Sequence, residues 1–192
     1  STRALSEDKF LPGEKVIKAI LFDIDGTLIR THGAGKKAMV QAAITVYGTA
    51  GDMDTVDFQG KTDPLILMQS LTPHGINQDT IFERMEDYKT LYFDLLQQTM
   101  PQSDAVLLPG IQELLHTLKK YDNLIIGLLT GNFYKGAMIK LNYFDIFHYF
   151  TMGVFADDTY IRNEMPFVAL QRLQAVTGTV FTTEDLIIIG DT

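Results

Sequence analysis

Residues 16–28 read Val16-Ile17-Lys18-Ala19-Ile20-Leu21-Phe22-Asp23-Ile24-Asp25-Gly26-Thr27-Leu28. An apolar run stops at two carboxylates one residue apart, followed by a glycine and a threonine. A short β-rich apolar run ended by a turn signal is the pattern of a covered parallel strand, so residues 16–22 are expected to form one. Residues i and i+2 of a strand point the same way, so Asp23 and Asp25 project together from its carboxyl end. Open α/β sheets hold their ligands there. Two like charges this close repel unless a cation lies between them or one carboxylate keeps its proton. The first arrangement makes a Mg²⁺ site; the second supplies an acid/base partner for a nucleophile.

Outward from this strand, the spacing predicts helices over 35–47, from Pro64 to before Pro73, and over 78–98, the last started by Asn77 or Asp79 as cap. No strong strand candidate lies between residues 31 and 105. After Pro109-Gly110 the pattern returns to alternation. A helix comes first, then a strand over 124–130, a helix over 134–141, a strand over 150–155, a helix over 164–176 and a buried strand over 186–189. The expected architecture is α/β, a doubly wound parallel sheet formed by residues 1–30 and 106–192, with an all-helical insert at 31–105.

Composition excludes several classes. The 192 residues carry a net charge of -8, which argues against a nucleic-acid or anionic-membrane partner. No apolar run reaches the roughly 18–20 residues that cross a bilayer, and the first fifteen residues have no signal-peptide apolar region, so the cytoplasm is the expected location. The chain has no cysteine, hence no disulfide, thiolate metal cluster or thiol nucleophile. His32, His74, His116 and His148 show no paired metal-ligand spacing. His32 alone follows the Asp motif closely, and a loop histidine is ordinarily solvated.

Three further strand ends bear comparison with the first. Leu124–Leu129 runs into Thr130-Gly131-Asn132, a hydroxyl and a small-residue turn able to donate to a phosphoryl oxygen. Ile187-Ile188-Ile189 runs into Gly190-Asp191-Thr192, adding a carboxylate. After the strand expected over 150–155, Arg162 precedes the helix expected near Glu164. Together these offer carboxylates for a hard cation, a hydroxyl and a positive charge, and Mg²⁺ binds through one or two carboxylates plus waters and phosphate.

Asp23-Ile24-Asp25-Gly26-Thr27 resembles the first motif of the haloacid dehalogenase superfamily, mostly Mg²⁺-dependent phosphatases. Thr130-Gly131-Asn132 resembles its second motif and Gly190-Asp191-Thr192 the start of its fourth. The insert is similar to the helical cap of the phosphoglycolate phosphatase and β-phosphoglucomutase branch. The resemblance implies that Asp23 attacks phosphorus and that Asp25 handles the leaving-group and water protons. It implies a metal on the Asp23 and Asp191 side chains and the Asp25 backbone carbonyl. Thr130 would bond the phosphoryl group, helped by backbone N–H groups around Gly26, Gly131 and Asn132, and the substrate would be a small phosphorylated metabolite.

Two departures stand out. The family's third motif supplies a lysine, whereas Asn163 occupies that place before Pro166; Arg162 is the candidate replacement, with Lys135 and Lys140 as fallbacks. The chain also stops where the fourth motif normally continues to another aspartate, so a piece of a longer protein is expected. Lys61, in the Gly60-Lys61-Thr62-Asp63 loop, is equally consistent with a substrate contact and with solvation. A phosphomutase shares Asp23 and Asp25. A dehalogenase generally lacks the second aspartate. A non-catalytic phosphate-binding or regulatory protein is the reading from another class.

Overall fold

The structure is a computed structural model and describes residues 18–190. Strand β1 (Lys18–Phe22) is central in a four-stranded parallel sheet. It lies between β4 (Leu124–Leu129) and β6 (Leu186–Ile189), and β5 (Met152–Val154) adds to β4. The register aligns Phe22 with Leu128 on one side and with Ile189 on the other. The first carboxylate, Asp23, therefore follows immediately at the carboxyl end of the sheet.

Strand alternation divides the apolar residues between two faces. Ala19 and Leu21 join Ile125, Leu129 and helix α7 (Met165–Thr177) in one core cluster. Phe22 joins Ile126, Leu128, helix α5 (Ile111–Leu118) and helix α6 (Tyr134–Tyr143) in another. Each fully buried Leu, Ile or Phe in these layers contributes about 1.5–3 kcal/mol.

Beyond β1 the chain turns through Gly26, whose φ of 81° is a conformation that favours glycine. It then forms β2 (Ile29–Arg30), which pairs antiparallel with β3 (Val106–Leu107), so the chain leaves and re-enters the sheet layer at one place. Between them lie α1 (Ala34–Tyr47), α2 (Asp63–Leu71), α3 (Gln78–Glu83) and α4 (Met85–Thr99), and no strand. These helices share a third apolar cluster, built on Met39, Leu67, Ile81, Tyr88, Tyr92 and Leu96. Phe133, Ile139 and Ala156 from the sheet layer enter the same cluster, so the helical block is packed onto α6.

Three sequence readings need correction. The helix expected over 78–98 is broken at Arg84, whose guanidinium donates to the Val46 carbonyl at the end of α1. Asn77 does cap its start, accepting from Thr80 N–H at 2.9 Å. The strand expected over 150–155 is only three residues long. β6 is in place but not buried: it is the edge of the described sheet, with Ile187 45% and Ile188 49% exposed. Val16 and Ile17, expected to begin β1, lie outside the described residues.

Candidate functional site

Asp23 is buried where β1 ends. Its N–H donates to Ile189 O at 2.8 Å, and Ile24 N–H donates to its Oδ1 at 2.8 Å. The Arg162 guanidinium donates to its Oδ2 at 2.9 Å. Arg162 reaches this point from a one-turn 3₁₀ segment, Arg162–Glu164, that leads into α7. Desolvation pushes the Asp23 carboxyl above its ordinary value, with Arg162 and the Ile24 N–H opposing the rise and nearby Asp25 adding to it.

Asp25 has a different environment, with 46% of its side chain exposed. Lys140 Nζ stands 2.9 and 3.0 Å from its two carboxylate oxygens, and Asn132 Nδ2 donates to Oδ2 at 2.8 Å. Desolvation opposes its charge, but Lys140 and Asn132 together outweigh it and hold the carboxyl below its ordinary value. The two aspartates thus differ in pKa, and each has its own cation.

The turn after β4 completes the cluster. Thr130 is fully buried, its N–H bonded to Val154 O at 3.1 Å. Asn132 donates to Thr130 Oγ1 through its N–H at 3.1 Å and through Nδ2 at 2.8 Å, while its Oδ1 accepts from Lys140 at 2.8 Å. Gly26 N–H is engaged with Ile29 O at 2.9 Å. Gly131 packs against the loop before α2: a Cβ there would lie 2.2 Å from the Lys61 carbonyl oxygen. Lys61 itself is half-buried, and His32 is exposed.

Of the residues singled out from the sequence, Asp23 is paired with Arg162, and Asp25, Asn132 and Thr130 are joined by hydrogen bonds, with Gly26, Gly131 and Lys61 flanking these two groups. Asp191 lies outside the described residues. Its neighbour Gly190 closes on the site, since a Cβ there would stand 3.6 Å from Asp23 Cβ. The donors at this strand end are carboxylate and carbonyl oxygens, the hard set that Mg²⁺ takes. Among the described residues no three His, Cys, Asp or Glu side chains converge on one point. Nor is any helix among them long and apolar enough to cross a membrane.

Two residues at this site were underweighted or missed in the sequence. Lys140, only a fallback in the sequence, is buried beside Asp25. The available signal was its helical phase, for it falls with Gly136, Ala137 and Leu141 on the buried face of α6. Asp63 gave no such signal. It is 6% exposed and accepts from Phe133 N–H at 3.0 Å through Oδ2. Desolvation pushes its carboxyl up to about 7, against the lowering effects of Lys140 and the Phe133 N–H.

A parallel sheet with paired carboxylates ending an interior strand, and helices inserted after that strand, defines a Rossmann-like α/β fold with its acidic groups where such sheets hold ligands. The model of the haloacid dehalogenase-like hydrolases matches residues 17–192, and the chain belongs to that family. No curated protein matches it. Among solved structures it is similar to a Lactobacillus plantarum protein provisionally assigned as a phosphoglycolate phosphatase. That pair has a TM-score of 0.62 and 21% identity, covering 93% of this chain and 79% of the other. A haloacid dehalogenase-like hydrolase from Streptococcus pneumoniae gives 0.58 and 23%, over 92% and 77%. A Thermotoga maritima protein provisionally assigned as a β-phosphoglucomutase gives 0.52 and 20%, over 89% and 74%.

Proposed function

We propose that this hydrolase is a Mg²⁺-dependent phosphatase of small soluble phosphomonoesters, working through an aspartyl-phosphate on Asp23. The observation that carries the reading is the division of cations at the end of β1, Arg162 on Asp23 and Lys140 on Asp25. A carboxylate with one oxygen fixed by a backbone N–H and the other beside a guanidinium is oriented for attack, which compensates for its weak nucleophilicity.

In the first step an Asp23 oxygen bonds to phosphorus as the ester P–O bond breaks, and Asp25 gives a proton to the departing alkoxide. In the second, water attacks phosphorus, Asp25 takes its proton, and the Asp23–phosphorus bond breaks to release orthophosphate. Lys140 and Asn132 hold the Asp25 carboxylate in place between these transfers. The negative charge of a bound phosphate beside Asp25 raises its affinity for the proton that the first step needs. Arg162 spreads positive charge over the phosphoryl oxygens, and Thr130 donates to one of them. The Asp23 carboxylate, the Asp25 carbonyl and Asp191 would hold the Mg²⁺, which supplies charge neutralisation to the transferring group. Residues 31–105 act as a cap over this end of the sheet, excluding water and selecting the substrate, with Lys61 on the loop that reaches it.

The test is phosphate release by the full-length protein from a panel of phosphomonoesters, with and without Mg²⁺. Metal-dependent release that Asp23→Asn abolishes is expected. No release from any ester would sink the hydrolase reading, and activity surviving in that variant would mean a different nucleophile. Phosphoryl transfer to a substrate hydroxyl in preference to water would instead identify a phosphomutase.

A further inference from the structure

Asp63 joins the helical block to the catalytic turn at two points. Its backbone N–H donates to Gly131 O at 2.8 Å, and its Oδ2 accepts from Phe133 N–H at 3.0 Å, so one residue grips both ends of the turn 131–133. One position earlier, the Thr62 hydroxyl donates to Tyr160 O at 2.8 Å. Two positions earlier, the Lys61 carbonyl lies against Gly131, where no Cβ would fit.

Phe133 is the N-cap residue of α6 and makes no cap with its own side chain, so the capping acceptor comes from a residue 70 positions earlier. The next N–H of that helix, from Tyr134, goes to Asp157 at 2.6 Å. A carboxylate suits the positive end of a helix, yet burying one is costly where a serine or asparagine would cap as well. α6 carries Lys140, and the turn carries Asn132 and directly follows Thr130.

We infer that Asp63 is a positioning residue that clamps the loop 60–63 onto the turn 131–133, fixing where Lys61 stands relative to the site headed by Asp23. The clamp follows from the contacts above; its effect on turnover rests on the phosphatase reading. Two measurements separate these. The first is hydrogen–deuterium exchange of the free protein. Asp63→Ala is expected to speed exchange ~10-fold or more in both segments 58–64 and 130–135, leaving β1 and β4 unchanged. Asp63→Asn, which keeps an acceptor oxygen, restores slow exchange in both. Should the alanine variant not fold, Asp63→Glu, which displaces the acceptor by one methylene, must show the same paired rise.

The second is a double-mutant cycle with Lys61→Ala, using p-nitrophenyl phosphate and Mg²⁺. Asp63→Ala is expected to lower kcat/KM by ~10–100-fold alone, and by less than ~3-fold once Lys61 is gone. Wild-type exchange rates in Asp63→Ala, or in Asp63→Glu should the alanine variant not fold, or losses that multiply in the cycle, would overturn the inference. If the wild type shows no turnover, the phosphatase reading fails and exchange alone decides the clamp.

Discussion

Replacing Asp63 by Asn should change how stability depends on pH, and by an amount the structure sets. Asp63 is buried, and desolvation pushes its carboxyl up to about 7 from an ordinary 3.8. Lys140 and the Phe133 N–H oppose that rise, while Asp25 and Asp157 add to it; its charge also bears on the buried Tyr88 and Tyr92 rings. Between the two values the folded protein keeps a proton that the unfolded chain has released. The stability contributed by protonated Asp63 is therefore complete below pH 3.8 and is lost as pH rises through 7. The difference of about 3 pKa units amounts to ~4 kcal/mol in all, of which about 2–3 kcal/mol falls between pH 5 and 8. Asparagine resembles the protonated acid and does not titrate. Urea or thermal unfolding of the wild type and Asp63→Asn at pH 5 and pH 8 should show the variant gaining on the wild type by that amount. For a chain of this size the gain is roughly 4–12 °C in Tm. Parallel pH profiles would refute the assignment of a near-neutral carboxyl to this position.

Gly131→Ala should destabilise the protein by ~2–3 kcal/mol in chemical denaturation, because its Cβ would meet backbone atoms of Lys61 and Thr62 at 2.2 and 2.9 Å. Tyr92→Phe removes a buried hydroxyl that has no hydrogen-bond partner among the described residues, so its unfolding free energy should stay equal or rise by up to ~1 kcal/mol. A clear loss there would point to a partner for the hydroxyl. Arg162→Met leaves buried Asp23 without its cation and should lower kcat by ~10²-fold or more, with Arg162→Lys recovering part of it in the same assay.

Local pattern carried the sheet and much of the candidate site. A strand ending in two carboxylates, a second ending in Thr130-Gly131-Asn132, and Arg162 just before a helix are legible because each depends on a few adjacent residues. Arg84 escaped because the residues around it keep helical spacing, while the break is tied to a carbonyl at the end of α1. Ile187 and Ile188 read as core because composition reports what a strand can bury, not whether something covers it. Asp63 was invisible for a third reason. An aspartate before a proline at a helix start reads as an ordinary first-turn acid, and its partners lie in a turn that is distant in sequence.

The bonds around Asn132 also run in one direction only. An ammonium can donate but never accept, so Lys140 obliges Asn132 to present its carbonyl oxygen there and its amide nitrogen toward Asp25 and Thr130. Thr130 Oγ1 then accepts twice from Asn132, through Nδ2 and through the backbone N–H. With both lone pairs engaged, the hydroxyl has only its proton left to offer. The polarity of the chain is thus set by a lysine on α6 and read out at Thr130, which meets any incoming group as a donor and turns away one that brings a proton of its own.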